Sequence, residues 1–277
     1  MDIFMAGKNS RKFRMKKLCI IGLGWLGKQL VDYFVELDCE LIGLNKTIYP
    51  DLKIPQFEFN LNNLDAPFPS KLQRVDFFII TLPPSSSDHY AGQMQLLFNK
   101  IQQFNPTPKI IYTSSTSVYG NQQGIVDEKS EIMPETENAK EIVKVEHSLI
   151  QLFEQQSIIL RLSGLMGINR HPIRFLSGKI NVSKPYAPVN LIHAKDIIKL
   201  IAVLIELEKD GIFNLSIPDH PTKNDYYTAC CYKIGIPIPR FNLQDQTKGK
   251  IIRSIKLKEL NFAFQYNKLS EYPIELT

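Results

Sequence analysis

Three glycines near the start of the chain have the spacing of a phosphate-binding turn. Gly22, Gly24 and Gly27 directly follow the apolar run at residues 18–21, and an amphipathic segment comes next. In such a strand, turn and helix, the first glycine permits the turn, the second leaves room for a pyrophosphate, and the third lets the helix pack closely. The N–H groups that begin the helix would face the phosphate oxygens. The motif therefore predicts a dinucleotide site at Gly22, Gly24, Trp25, Leu26 and Gly27, and the alternative is the same turn without a ligand.

The end of the second predicted strand should select between the two nicotinamide dinucleotides. An Asp or Glu about 20 residues beyond the glycines usually binds the ribose hydroxyls of NAD. This chain has Asn45, Lys46 and Thr47 there instead. Because a cation without an acidic neighbour suits a 2′-phosphate, we predict that Asn45 and Lys46 bind NADP, with NAD as the alternative cofactor. The other interpretation of Lys46 is an ordinary solvated loop lysine.

The next two strand ends would complete the cofactor groove. Asn60 and Leu61 end the third predicted strand, where the adenine ring would lie, and Asn60 could hydrogen-bond its edge. The fourth strand continues into TLPPSS. Its prolines keep that exit extended, so we expect Leu82 and Pro83 to line the groove.

Four later motifs carry a resemblance to one enzyme family. They are SSTSVYG after the fifth predicted strand, VDE at 126–128 with Pro134, LRLSGLMG, and APVNLIHAKDII. In content and order they resemble the extended short-chain dehydrogenase/reductases, also called the NAD-dependent epimerase/dehydratase family. The likeness covers residues 18 to about 216, with Met166 where the family usually has tyrosine.

The resemblance implies roles for the residues around these motifs. Ser115 would polarise the reacting oxygen of the substrate, and Ser114 would lie beside the cofactor. Arg170 and Arg174 lie in a loop where related enzymes bind substrate, and a guanidinium matches a carboxylate or a phosphate. Solvated arginines are the alternative. The residues predicted to bind substrate are Thr116, Asn169, Arg170, Asn190 and His193.

The chain departs from the family in the helix that usually contains Tyr-x-x-x-Lys. In the family the lysine lowers the pKa of the tyrosine, which can then act as a general base. The segment here is TENAKEIVKVEHSLI, which has no tyrosine. Counting without gaps from the serine after the fifth strand puts Lys140 and Lys144 at the positions of the tyrosine and the lysine. Aligning Glu146 with the glutamate that often follows the family's motif puts Asn138 and Ile142 there instead. Neither alignment keeps the tyrosine, and only the first keeps a lysine, Lys144. The chain therefore resembles an atypical member of the family.

Three hypotheses about activity follow from the missing tyrosine. The first is an enzyme that uses Tyr119, His193, or Ser115 with a bound water, since a phenol or an imidazole can be tuned by burial or a neighbour. The second is a non-catalytic NADP-binding regulatory or sensor protein. The third is a reductase whose substrate takes its proton from solvent. The residues predicted to be catalytic are Ser115, Tyr119 and Lys144.

The elements that must position these residues alternate along the chain. Short apolar runs separated by amphipathic segments predict an α/β fold, a Rossmann-type doubly wound parallel sheet with a small α/β substrate lobe. Residues 1–15 would be a disordered basic tail. The Rossmann domain would comprise residues 16–163, completed by 190–216. Residues 164–189 and 217–277 would form the substrate lobe.

Composition narrows the class of protein. No apolar run of the 277 residues approaches the roughly 20 needed to cross a bilayer. The net charge of +5 is concentrated before the first strand, so we expect no nucleic-acid partner and no membrane partner. The four cysteines form no CxxC pair and the five histidines are scattered, which predicts no metal and a reduced, cytoplasmic protein.

The sequence thus favours an NAD(P)-dependent oxidoreductase or an epimerase/dehydratase-like enzyme. Its partner would be a small polar substrate, with a sugar- or nucleotide-like molecule as one option. The alternative remains the NADP-binding sensor. By resemblance, a homodimer could form through the two helices that follow strands four and five.

Overall fold

A seven-stranded parallel sheet forms the centre of the structure, a computed structural model that describes residues 16–37, 39–105 and 107–276. The predicted tail, 1–15, lies outside the described residues. The strands of the sheet are β1 (Lys17–Ile21), β2 (Glu40–Asn45), β3 (Gln56–Glu58), β4 (Phe77–Ile80), β5 (Lys109–Ser115), β7 (Ser157–Leu162) and β10 (Gly211–Leu215). Across the sheet they have the order β3-β2-β1-β4-β5-β7-β10. The predicted Rossmann-type doubly wound sheet is confirmed.

The strand order reverses between β1 and β4. From β1 the chain continues outward to β2 and β3, and from β4 it continues outward in the other direction to β5. In open α/β sheets, ligands bind outside the carboxyl ends of the strands at such a switch point. The turn that follows β1 lies at this position.

Continuous apolar runs explain why these strands form. All four residues from Leu18 to Ile21 are fully buried, and Phe77–Ile80 of β4 are buried as well. Ile20 lies opposite Gly43 of β2 and Ile79 of β4. A strand buried on both faces needs apolar residues at successive positions, rather than the alternation of a half-exposed strand.

The structure contains six α-helices within the described residues. They are α1 (Trp25–Val35), α2 (Tyr90–Phe104), α3 (Glu137–Phe153), α4 (Ala194–Leu207), α5 (Lys223–Ile234) and α6 (Ile255–Glu259). In α3 the buried positions include Ala139, Ile142, Val145 and Leu149, the spacing of an amphipathic helix. Glu146 is a charged residue on that buried face.

Two short parallel pairs complete the strands. β6 (Gly124–Val126) pairs with β11 (Lys250–Ile252), and β8 (Gly164–Met166) pairs with β9 (Leu191–His193).

The chain divides into two compact units. The first unit contains the described residues up to Ser114, with Lys140–Leu160 and Leu200–Ile212. The second unit contains Ser115–Ala139, Arg161–Lys199 and the described residues from Phe213 onward. The domain boundaries predicted from sequence stay a prediction.

The length and the apolar character of a helix decide whether it can cross a membrane. Among the described residues, no helix is both long enough and apolar enough to cross a bilayer.

Candidate functional site

The glycine turn of the first unit has the geometry that a pyrophosphate requires. Gly22 has a φ of +100°, which favours glycine, and its N–H donates to Leu44 O at 2.8 Å. A Cβ on Gly27 would lie 2.0 Å from Gly22 O, so α1 can pack on the turn only without a side chain there. A Cβ on Gly24 would meet no described atom within 4 Å. The space over Gly24 is therefore open for phosphate oxygens.

The start of α1 is available to an anion. The helix begins at Trp25 after Gly24, no side chain in the described part of the chain caps it, and its first turn contains no acidic residue. The first N–H groups of a helix have no partners within the helix and carry a partial positive charge. Phosphate oxygens would satisfy them, so the residues present fit a dinucleotide.

Asn45 joins the glycine turn to the loop after β2. Its Oδ1 accepts from Leu23 N at 2.9 Å, and its Nδ2 donates to Thr47 O at 2.8 Å. The amide thus braces the site, and the side chains of Lys46 and Thr47 are exposed. Sequence analysis missed Lys28, whose ammonium lies 3.4 Å from the centroid of the Tyr49 ring in this loop. Its place directly after the third glycine was the available signal.

The exits of β3 and β4 differ in what they offer to a ligand. Asn60 Oδ1 accepts from Asn62 N at 3.1 Å within a local turn, and Leu61 is buried. Leu82 is half-buried, and its Cδ2 would lie 3.1 Å from a Cβ on Gly22, so it borders the glycine turn. Tyr90 Oη donates to Leu82 O at 2.7 Å and holds this exit in place. Pro83 is exposed and extended.

A buried hydrogen bond joins Ser114 to α3. Ser114 Oγ donates to Glu146 Oε1 at 2.5 Å, and both residues are buried. This contact gives Ser114 a partner within the first unit and does not support the predicted contact with the cofactor.

Lys144 lies on the other side of α3. Its side chain is 65% exposed, and its Nζ pairs with Glu141 Oε1 at 2.6 Å. This position does not support the prediction that Lys144 holds a nicotinamide ribose.

A cavity of about 650 Å³ opens elsewhere on the first unit, beside Lys16, Asp76 and Glu208. These residues lie near the amino ends of the parallel strands. Because open α/β sheets bind ligands at the carboxyl ends, we do not assign this cavity to the dinucleotide.

Ser115 is the first residue of the second unit. The residue is half-buried, and the short 3₁₀ helix Thr116–Tyr119 follows it. Its Oγ accepts from Ser117 N at 3.1 Å, and its proton has no acceptor among the described residues. The hydroxyl can therefore donate to a substrate oxygen. Thr116 is buried, with its Oγ1 3.4 Å from Leu162 O, which does not support a contact with substrate.

Tyr119 is fully buried and fixed at its hydroxyl. Tyr119 Oη donates to Asn214 Oδ1 at 2.8 Å and accepts from Arg161 Nη1 at 2.8 Å. Burial raises the pKa of Tyr119, although Arg161 and Asn214 oppose the increase. A general base would need a lowered pKa and a free oxygen. The geometry therefore gives Tyr119 a structural role and does not support its predicted catalytic one.

His193 is likewise built into the core of the second unit. Its Nδ1 accepts from Lys195 N at 3.2 Å, and its ring stacks on Tyr272 with 5.1 Å between centroids. Tyr272 Oη in turn donates to Asp196 Oδ2 at 2.7 Å. The His193 Nε2 atom is buried and has no hydrogen-bond partner among the described residues. These contacts do not support substrate binding by His193.

The remaining predicted substrate residues differ in exposure. Asn190 Nδ2 donates to Lys250 O at 2.8 Å and its Oδ1 accepts from Ile252 N at 2.9 Å, so the amide holds β11. Asn169 and Arg170 are exposed in a tight turn that Gly167 and Arg170 close. Arg174 Nη1 donates to Asn169 O at 3.0 Å. Substrate binding by Asn169 and Arg170 stays a prediction.

Within residues 16–37, 39–105 and 107–276, no group of three or more His, Cys, Asp and Glu side chains could hold a metal ion.

The contact between Gly27 and Gly22 predicts unequal effects of two alanine substitutions. Gly27→Ala puts a methyl group 2.0 Å from Gly22 O, so we expect the free energy of unfolding to fall by about 1–3 kcal/mol. Gly24→Ala is the matched control, and we expect its stability to stay within about 0.5 kcal/mol of the wild type. Both variants should lose dinucleotide affinity, because the space for the phosphates is reduced. Urea unfolding and NADP titration measure the two effects. Equal stability of the variants would contradict the close approach of α1.

Two buried histidines predict a loss of stability in mild acid. Burial lowers the pKa of His171 and that of His193 to about 4, from an ordinary value of 6.5. Both should stay neutral in the folded protein while the unfolded chain takes up protons below about pH 6.5. The stabilisation present above pH 6.5 should therefore decline as the pH falls toward 4. Between pH 7 and pH 5 we expect about 2 kcal/mol per histidine.

Urea unfolding at pH 7 and pH 5 tests this for His193. The variant His193→Phe keeps a ring that can stack on Tyr272 but removes the titrating group. Its stability should decline less than that of the wild type between the two pH values. An equal decline in both proteins would show that His193 does not contribute.

A known protein of Escherichia coli is similar over almost the whole chain. The chain is 34% identical to the protein YeeZ of Escherichia coli K12, over 94% of this chain and 100% of that protein. No family model matches the chain.

Solved structures resemble the fold at lower identity. A proposed NAD-dependent epimerase/dehydratase of Methylobacillus flagellatus has a TM-score of 0.78 at 20% identity, covering 91% of this chain and 94% of that one. The UDP-glucuronic acid 4-epimerase of Bacillus cereus, in complex with NAD, has a TM-score of 0.74 at 17% identity, covering 90% and 94%. The chain therefore belongs to the family of YeeZ, with the Rossmann-type fold of the NAD-dependent epimerases and dehydratases.

Proposed function

We propose that this protein is an NAD(P)-dependent enzyme of the oxidoreductase or epimerase/dehydratase type, acting on a small polar, sugar- or nucleotide-like substrate. The observation that carries the proposal is the phosphate cradle of the first unit, where the space over Gly24 is open and the start of α1 is uncapped in the described part of the chain. The NAD complex of the Bacillus cereus epimerase supports the cofactor class and the UDP-sugar class of substrate.

NADP is the cofactor that the loop after β2 favours. An aspartate in place of Asn45 would repel a 2′-phosphate, whereas the neutral amide of Asn45 is already occupied with the glycine turn and its own loop. Lys46 is exposed, and Lys28 adds a second cation beside Tyr49. A 2′-phosphate at this loop would meet positive charge on two sides.

Ser115 is the residue that we assign to the substrate. Its proton can be donated while its oxygen still accepts from Ser117 N. A bound nicotinamide would supply the hydride donor or acceptor. Tyr119 is fixed by Arg161 and Asn214, and Lys144 is paired with Glu141 on the exposed face of α3. We therefore infer that the proton exchanges with water, which favours reduction with a solvent proton.

The second candidate is a protein that binds NADP without turnover. The buried, fixed state of Tyr119 and His193 favours it, because neither side chain offers a mobile proton. A sensor would bind a partner differently with NADP and with NADPH, and it would transfer hydride to no member of a panel of carbonyl compounds and nucleotide sugars. Hydride transfer to any member of that panel would exclude the sensor.

The location and the oligomeric state of the protein are also proposals. None of the four cysteines forms a disulfide among the described residues, which favours a reducing, cytoplasmic location. A homodimer through α2 and α3 follows from the family resemblance, and sedimentation would test it.

Lys46 should determine the preference between NADP and NAD. Loss of one ammonium beside the 2′-phosphate should weaken NADP binding about tenfold in Lys46→Ala, while NAD binding changes less than about twofold. Lys53→Ala removes another exposed lysine of the same loop and is the matched control. Calorimetric titration of the three proteins with both dinucleotides measures this. An unchanged ratio of the two affinities in Lys46→Ala would contradict the assignment.

Ser115 should be needed for turnover and not for cofactor binding. Removing a hydrogen-bond donor to the reacting oxygen should lower kcat by about 10²–10³ in Ser115→Ala. NADP affinity should stay within about threefold, and Ser115→Thr, which keeps a hydroxyl, should retain most of the activity. Nicotinamide absorbance on a substrate found by the panel gives the rate. Full activity of Ser115→Ala would remove Ser115 from the mechanism.

A further inference from the structure

Three lysines of the second unit lie together around one loop. Lys184 Nζ is 3.5 Å from Asn121 Oδ1, and the ammonium of Lys250 donates to the carbonyl of Gly120. The ammonium groups of Lys184 and Lys250 thus contact two residues that are adjacent in the chain, Asn121 and Gly120. Lys223 Nζ donates to Ser183 O at 3.2 Å, next to Lys184 in the chain. We call Lys184, Lys223 and Lys250 the lysine cluster.

The backbone fixes these lysines at their positions. Lys223 N donates to Ala187 O at 2.9 Å, and Ala187 N donates to Lys184 O at 3.2 Å. Lys250 is held because its carbonyl accepts from Asn190 at 2.8 Å. Lys184 itself has a φ of +57°, a left-handed conformation that is unfavourable for a lysine. The cluster is therefore built by long-range contacts within the second unit.

Two carboxylates lie near the cluster, and both are occupied by neutral donors. Glu135 accepts from Asn121 N at 2.8 Å and from the Asn121 side chain. Asp245 accepts from Lys184 N at 2.8 Å and from Thr247 N at 3.0 Å. Across the described ranges of the chain, no carboxylate lies within 4.0 Å of an ammonium of the cluster.

The two nearby carboxylates compensate the three charges of the cluster only in part. All three lysines are half-buried, which is unusual for a side chain that is mostly exposed in proteins. Burial lowers the pKa of Lys223 and Lys250, and the charge of Lys184 lowers both further. Asp245 opposes this shift at Lys223, and Glu135 opposes it at Lys250. A bound anion would relieve the repulsion between the ammonium groups.

We propose that the lysine cluster, Lys184, Lys223 and Lys250, binds a phosphate group. Ammonium groups act as point charges that can approach a tetrahedral dianion from several directions, and lysine is a common ligand of phosphate groups. The site is distinct from the glycine turn, which lies in the first unit.

The phosphate would anchor the substrate of the proposed enzyme, and this step rests on the proposed function. Gly120 and Asn121 directly follow the helix Thr116–Tyr119, which begins after Ser115. With the rise of a 3₁₀ helix, Ser115 and Gly120 are separated by roughly 10 Å along the chain. A phosphate at the cluster and a reacting oxygen at Ser115 would therefore belong to a phosphorylated sugar or a nucleotide-linked one.

Titration of the full chain with inorganic phosphate tests the site directly. Phosphate should raise the melting temperature more than chloride of equal ionic strength, and its Kd should weaken at least tenfold in Lys184→Gln and in Lys250→Gln. Lys179→Gln removes one exposed lysine of the same unit and should bind phosphate like the wild type. Circular dichroism checks that each variant is folded. If Lys250→Gln fails to fold, Lys184→Gln carries the test, and Lys184→Arg should bind within about threefold of the wild type.

Other outcomes would overturn the proposal. An equal Kd in all variants would show that the cluster is not the site, and loss of phosphate binding in Gly24→Ala alone would assign the phosphate to the glycine turn. Equal stabilisation by acetate would replace phosphate with a carboxylate. This titration needs neither turnover nor a nicotinamide dinucleotide. The protein could therefore prove to be an NAD(P)-dependent enzyme without binding phosphate at the cluster, or bind phosphate there without being such an enzyme, and the experiments distinguish the two results.

Discussion

The carbonyl oxygen of Gly22 is the point on which the nucleotide-binding end of the first unit depends. It accepts from Thr81 Oγ1 at 2.6 Å, and Gly27 of α1 lies so close to it that no Cβ fits. Hydrogen bonds from Gly22 N to Leu44 O and from Thr81 N to Ile21 O join the turn to β2 and β4. The ends of β1, β2 and β4 and the start of α1 are thus all held together at Gly22. These contacts determine the shape of the phosphate cradle.

The sequence predicted those features that depend on neighbours in the chain. The positive φ of Gly22 and the close approach of Gly27 agree with the glycine spacing, since a strand, turn and helix is a local structure. The parallel sheet followed from continuous apolar runs such as Leu18–Ile21, which a strand needs if both of its faces are buried. Both signals are carried by a few consecutive residues.

The roles of the polar residues depend on contacts that the sequence does not reveal. Tyr119 is fixed by Asn214, 95 residues later, and Asn190 is bound to Lys250, 60 residues later. Tyr119 was a catalytic candidate because the helix lacks the family's tyrosine, and Asn190 was a substrate-binding candidate because its motif resembles one of the family. In the folded chain their hydrogen-bonding groups stabilise the second unit instead. Ser115 differs because its bond to Ser117 N is local and leaves its proton available.

The bond between Ser114 and Glu146 has a consequence for how this helix could change during evolution. It holds α3 against β5 through a residue that takes no part in Tyr-x-x-x-Lys. In the alignment on Glu146, the two positions of the pair are not equally free to change. Asn138 is exposed, so a tyrosine there would leave the packing of the helix intact, whereas Ile142 is buried and a lysine there would bring a charge into the core. A lineage could therefore regain the tyrosine without rebuilding the fold, but regaining the lysine would require repacking of α3.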